Sequence, residues 1–263
     1  STLIAMKLHP DQLDSKAAIV SEHPGVSHNY ARDFDYNLWF TLTAAPDVDL
    51  QREIDILTKR IEPEDELNLP SLQTFKIRVH FNVDESNALL NPGKVVKPAG
   101  KNIKLSNIEK RVVNEVQKDL LLMSHPFDQM AENVGLETDE FLAHCHSFAE
   151  RGIMRRFGAS IQHRNAGFKA NSMVCWIVPF ANLNKTGQQM AGFIQVSHCY
   201  ERKTYLNWPY NIFTMIHGKT TEECHDVASK ISQLTALREY KALFSVKEYK
   251  KVRVQYKLQE NNN

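Results

Sequence analysis

The chain has 263 residues, 42% of them apolar and 24% charged, and a formal net charge of only +1. That balance belongs to a folded protein of one large or two ordinary domains, and it lacks the domain-wide basic footprint that a nucleic-acid surface needs. No apolar run approaches the roughly 20 residues of a membrane helix, and the four cysteines show no CxxC spacing, which points to reduced thiols and a cytoplasmic setting.

The opening "TLIAMKL" reads as a strand entered directly from Ser1, with no signal peptide before it, so the chain is expected to start partway through a domain. "DQLDSKAAIVSEHP" is helical with Pro24-Gly25 as its stop, and "YNLWFTLTA" is strand-like. In "DVDLQREIDILTKRI", Leu50, Ile54, Leu57 and Ile61 fall at helical spacing, and "TFKIRVHF" closes the unit as a strand. Residues 91–104, rich in Pro, Gly and Lys without periodicity, read as a linker.

From Ser106, a candidate N-cap, the pattern turns helical, with Ile108, Val112, Val116 and Leu120 on one face. "PFDQMAENVGL" and "TDEFLAHCHSFAERG" then predict two short helices about a glycine turn, a helix-turn-helix, and residues 153–178 supply a candidate wing. The presumptive recognition helix opens Thr138-Asp139-Glu140, and acidic side chains facing phosphates argue against DNA binding.

The stretch "GVSHNYARDFDYNLWFTL" at residues 25–42 returns as "QVSHCYERKTYLNWPYNIFTMI" at residues 195–216. Ser27, His28, Tyr30 and Arg32 match Ser197, His198, Tyr200 and Arg202 at one constant separation. After a short insertion, Tyr36-Asn37 aligns with Tyr210-Asn211, and "KIRVHF" from Lys76 aligns with "KVRVQY" from Lys251. Similarity at this separation means duplicated domains and not a solenoid. The expected fold is α+β: two ferredoxin-like βαββαβ domains that bury their sheet faces against each other as a pseudo-dimer, with a winged helix-turn-helix between them. The boundaries are 1–84, a linker at 85–105, the helix-turn-helix at 106–168, the second domain at 169–258 and a tail at 259–263.

A helix-turn-helix joined to a βαββαβ domain resembles the Lrp/AsnC fold, and the doubled His-x-Tyr-x-Arg followed by Tyr-Asn and an aromatic strand resembles the siroheme decarboxylases. The resemblance covers nearly all of the chain outside the linker and tail. It implies a fused two-half form in which the helix-turn-helix of the first half is missing ahead of Ser1. It also implies the conversion of siroheme to 12,18-didecarboxysiroheme, on a heme or a heme d1 route, and two halves placed to share one large macrocycle. No added cofactor is expected, because the iron arrives with the substrate.

Siroheme is an apolar ring rimmed by carboxylates, so its site needs an apolar floor, cationic anchors and a proton donor at each acetate to be cut. His28 and His198 are the general-acid candidates, since imidazole titrates near neutral pH; an axial contact of one of them to the substrate iron is left open. Arg32 and Arg202 are the candidate carboxylate clamps, with Arg155 and Arg156 behind them. Tyr30 and Tyr200, two residues from each histidine, share its side of an extended segment. Trp39, Trp208 and Tyr210 are candidate walls for the ring, with core packing as the ordinary alternative. His163 and His217 are weaker candidates, and His144 with His146 have the wrong helical spacing for a metal pair.

Three readings compete: the decarboxylase, an Lrp/AsnC-type ligand-sensing regulator, and a protein that binds tetrapyrrole without cutting it. Salt-steep DNA affinity marks the second, and bound but intact tetrapyrrole marks the third. Homo-oligomerisation beyond the intramolecular pair is left open by the sequence.

Overall fold

The computed structural model describes residues 1–44, 48–77, 104–154, 157, 170–253 and 258. The chain divides into two compact units, one of Ser1–Val96 with Ile161–Val254 and the other of Lys97–Ser160 with Gln255–Asn263.

The first unit holds both βαββαβ copies. Copy one runs β1 (Thr2–Lys7), α1 (Leu13–Glu22), β2 (Val26–Arg32), β3 (Leu38–Leu42), α2 (Leu50–Ile61) and β4 (Asp65–Ile77). Copy two begins with β5 (Ala170–Trp176), α6 (Leu183–Ala191) and β6 (Val196–Arg202), and ends with β7 (Ile212–Gly218), α7 (Thr221–Thr235) and β8 (Tyr240–Lys251). The other unit supplies α3 (Asn107–Val116), α4 (Pro126–Val134) and α5 (Thr138–Glu150).

The eight strands form a closed, wholly antiparallel barrel in the order β1-β3-β2-β8-β5-β7-β6-β4. The two expected sheets are therefore one continuous sheet, because each copy's closing strand changes partner along its length. β4 lies beside β1 of its own copy up to Pro70 and beside β6 of the other copy from Ser71. β8 lies beside β5 up to Phe244 and beside β2 from Ser245. Proline, which has no backbone N–H to give to a ladder, sits at the changeover of β4. Closure leaves no sheet edge to be protected.

Two lysines brace this exchange. Lys250 Nζ on β8 donates to Ser21 O and His23 O at the C-terminus of α1, at 2.7 and 3.0 Å. Lys76 Nζ on β4 donates to Phe193 O, just past α6, at 2.6 Å. Each cation thus meets the carbonyl-rich end of a helix from the opposite copy. The backbone register makes Lys76 equivalent to Lys250, since they pair with Cys199 and Asn29. The sequence alignment of Lys76 with Lys251 is therefore one residue out at this point.

Alternation along the strands sorts side chains to two faces. Outward residues such as Ile4, Met6, Leu38 and Phe40 pack on α1 and α2, and Val174, Trp176, Ile212 and Ile216 pack on α6 and α7. Inward residues of both copies form one shared core that includes Ala5, Trp39, Leu67, Cys175, Trp208 and Phe213. At ~25 cal/mol per Å² each buried aromatic removes about 4–6 kcal/mol of hydrophobic cost, before entropy is charged against it.

In the helical unit, Ser106 and Glu109 form a reciprocal capping box, and α4 ends at Gly135, whose φ of 72° a side chain would strain. The expected long first helix stops at Val116. Leu120 is off the helix and 39% exposed, followed by exposed Leu121, Leu122 and Met123. The acidic opening of α5 completes a second capping box, Glu137 with Glu140, so these carboxylates satisfy the helix's own N–H groups. Leu258 exchanges two backbone hydrogen bonds with the Asn114 side chain in this unit. Residues 85–103 of the linker, and the wing apart from 153, 154, 157 and the strand from 170, lie outside the described residues.

Candidate active site

β2 and β6 are separated by three strands on either side of the eight-stranded ring, so they form opposite walls of the barrel and run in the same direction. Their residues alternate. Asn29 points outward and donates through Nδ2 to Ala17 O of α1, and Cys199 packs with the outer core on α6. His28, Tyr30 and Arg32 therefore face inward, as do His198, Tyr200 and Arg202.

Each set forms a row. The His28 and Tyr30 ring centroids are 6.3 Å apart, and the Arg32 guanidinium lies 5.7 Å from the Tyr30 centroid. The matching distances are 6.0 Å for His198 and Tyr200 and 4.9 Å for Arg202 over Tyr200. The histidines and tyrosines are half-buried, whereas Arg32 is only 5% exposed. The rows descend from a mouth at the histidines to a closed end at the arginines.

At the closed end the guanidiniums hold backbone and no carboxylate. Arg32 Nη1 donates to Leu243 O at 2.9 Å and Arg202 Nη1 to Leu69 O at 2.5 Å, both on the closing strands. The Nε of each arginine is buried without a hydrogen-bond partner, and among the described residues neither forms an ion pair. Burial pulls both guanidinium pKa values down to about 10. Both act on Cys175, whose thiol is pushed up by burial and pulled back by the two cations. Two charges held out of water without a carboxylate partner among the described residues are costly to the fold.

The aromatic candidates Trp39 and Trp208 are buried in the shared core, with Tyr210 packed against it. Trp208, 1% exposed, meets Trp39 at 5.6 Å, Tyr36 at 5.5 Å and Tyr210 at 4.9 Å between ring centroids. Trp39 is equally buried and donates through Nε1 to Tyr36 O at 2.6 Å. The inserted loop that carries Trp208 is tied to copy one by Asn207, which donates to Asp65 and to the Tyr36 hydroxyl, and by Tyr205, which donates to Asn68 O. Arg155, Arg156 and His163 lie outside the described residues. His144 and His146 sit on α5, and no metal-binding group of His, Cys, Asp and Glu occurs among the described residues. Nor is any described helix long and apolar enough to cross a membrane. A separate cavity of about 330 Å³ beside β5 and the start of α7 contains none of the six row side chains.

The AsnC-like ligand binding domain model matches residues 1–76 and 165–250, and a siroheme decarboxylase NirDL-like helix-turn-helix model matches residues 109–155. The siroheme decarboxylase of Hydrogenobacter thermophilus is 39% identical over 260 residues, which cover 97% of this chain and 76% of that one. This chain belongs to the siroheme decarboxylase family. Its members are carboxy-lyases, and so by family is this enzyme. The siroheme decarboxylase beta subunit of Methanosarcina barkeri is 40% identical over 144 residues, 55% of this chain and 95% of its own. A crystal structure of the siroheme decarboxylase NirDL in co-complex with an iron-uroporphyrin III analogue superposes with a TM-score of 0.72 at 34% identity, covering 98% of this chain and 74% of that one.

Other residues around the rows show their part only in the fold. Asn37 and Asn211 each clamp one backbone residue through both amide atoms, Leu8 and Val178 respectively, which explains why Tyr-Asn recurs. Lys251, Glu248 and Ser245 of β8 pair with His28, Tyr30 and Arg32 and so share their face, whereas Ile77, Thr74 and Ser71 stand opposite His198, Tyr200 and Arg202. Burial first, and the Lys251 cation second, lower the His28 pKa below its ordinary 6.5, with Glu248 acting in the opposite sense. Only the strand exchange makes these neighbours, and no local pattern signals it.

Proposed function

We propose that this enzyme takes siroheme and removes the carboxyls of its 12 and 18 acetates as CO2, giving 12,18-didecarboxysiroheme. The observation that carries the reading is the pair of His–Tyr–Arg rows on opposite walls, each ending in an arginine whose Nε is buried and has no hydrogen-bond partner among the described residues. An eight-stranded barrel filled by side chains has no room for a tetrapyrrole in its core. The ring therefore lies at the histidine end of the rows with its carboxylates directed toward the tyrosines and arginines, and the Trp208 cluster packs in the core beyond them.

Arg32 and Arg202 hold carboxylates through charge-assisted hydrogen bonds, and Tyr30 and Tyr200 orient them. When the carbon–carbon bond of an acetate breaks, its electron pair stays on the methylene carbon and spreads into the conjugated ring as CO2 departs. The carbon then takes a proton from the imidazolium of His28 or His198, leaving a methyl group and a neutral imidazole. In the free site burial and Lys251 favour neutral His28; the carboxylates of the substrate reverse that preference. The chemistry needs no added cofactor, and the iron belongs to the substrate. The two halves act as an intramolecular pair, a reading supported by a beta-subunit relative that is covered almost entirely by about half of this chain. The helix-turn-helix serves as a retained structural domain, since the acidic turn of α5 is engaged in its own cap.

Turnover and binding measured in parallel test these roles. His28→Ala and His198→Ala should lower single-turnover decarboxylation by about 100-fold or more while tetrapyrrole binding stays within a few-fold. Arg32→Met and Arg202→Met should weaken binding. Unchanged turnover in both histidine variants would remove the acid role.

A further inference from the structure

The two halves share a backbone but differ beside each histidine. Ser197 Oγ, on a residue only 2% exposed, lies 2.8 Å from Nδ1 of His198, 2.8 Å from Nε2 of His217 and 3.3 Å from Met215 O. Its counterpart Ser27 Oγ lies 3.0 Å from Nδ1 of His28. The place of His217 is taken in copy one by Thr43: His217 N donates to Gln195 O as Thr43 N donates to Gly25 O, and Met215 and Thr41 pair with His198 and His28.

A serine hydroxyl has one proton and two acceptor sites. Two imidazoles and a carbonyl saturate Ser197, so its hydroxyl is held from three directions. We propose that His217, acting through Ser197, is a positioning residue that fixes the His198 ring by its Nδ1 edge and thereby turns the Nε2 edge toward the acetate on that side, making the two halves unequal proton donors. The proposal rests on the decarboxylase reading. A donor whose orientation is set in advance loses less on reaching the transition state, so the acetate served by His198 is cut first. The acetate beside His28, where Thr43 stands in place of His217 and Ser27 meets one imidazole, follows.

Two measurements on the intact chain test this. In single-turnover reactions with siroheme under anaerobic conditions, followed by mass spectrometry, His217→Thr should slow the first loss of CO2 by about tenfold, a change within the range for coupled hydrogen-bonded neighbours. Binding should stay within about twofold, and His217→Gln, which keeps an N–H near Ser197, should recover most of the rate. In the protein without tetrapyrrole, 15N NMR should show the ring nitrogens of His198, and not those of His28, shifting in His217→Thr. Unmoved His198 resonances, an unchanged first step, or a loss of rate and binding together that His217→Gln fails to restore would each overturn the positioning role. A wild-type chain that leaves siroheme intact would instead sink the decarboxylase reading, and the NMR comparison would still decide whether His217 governs the His198 ring.

Discussion

Replacing Arg32 by methionine separates a guanidinium kept for a ligand from one kept for the fold. The side chain is almost wholly buried, and its pKa falls from the ordinary guanidinium range to about 10, with desolvation as the leading cause. At ~1.4 kcal/mol per pH decade, holding the charge costs the fold roughly 3 kcal/mol. Because the folded pKa lies below the unfolded one, the cost is present in full at neutral pH and is relieved only as pH rises above about 10 toward the ordinary guanidinium range. Methionine removes that cost and keeps most of the volume. It gives up the hydrogen bond to Leu243 O and the contact with the Tyr30 ring, each on the order of 1 kcal/mol, and leaves one carbonyl unpaired. The terms nearly cancel, so urea unfolding of Arg32→Met without tetrapyrrole should give a stability within about 1–2 kcal/mol of wild type. Titration with an iron-uroporphyrin analogue should show affinity reduced by roughly 10- to 100-fold, as expected for the loss of a hydrogen bond to a charged group. A variant destabilised by 3 kcal/mol or more that still binds like wild type would make Arg32 a strut and refute the clamp.

Two further perturbations address the site and the strand exchange. Lys251→Ala removes a cation that holds the His28 pKa down. An NMR titration should therefore find His28 protonating at higher pH, and the rise of stability with pH just below 6.5, caused by the depressed folded pKa, should shrink. A His28 titration that does not move would deny the pairing of β8 with β2. Gly187→Ala places a methyl 2.4–2.6 Å from ring carbons of Phe75, so helix α6 of copy two must yield to the closing strand of copy one. A loss of about 1–3 kcal/mol in urea unfolding is expected, with Phe75→Leu recovering part of it; additive costs would mean the two residues do not touch.

Local periodicity sufficed for the βαββαβ order, because alternation and helical spacing are short-range signals. It also put the histidine and tyrosine of each copy on one face, since they sit at i and i+2 of a strand, and the structure adds the arginine at i+4. The exchange of β4 and β8 was hidden, because pairing between residues as distant as Arg32 and Ser245 leaves no local trace. β4 begins at Asp65, earlier than its apolar run suggested, since "DELNLPSLQ" is polar and carries the proline of the changeover. Burial was equally illegible for Arg32 and Arg202: an arginine at a strand end reads as a surface cation until the barrel closes around it. His217 looked minor in sequence because its partner is a serine that the repeat motif had already accounted for.

Whether this chain decarboxylates siroheme is tested most simply by anaerobic incubation of the purified protein with siroheme, followed by chromatography and mass spectrometry. Two CO2 should be lost through a singly decarboxylated intermediate. Siroheme recovered intact, whether free or bound to the protein, would contradict the decarboxylase reading.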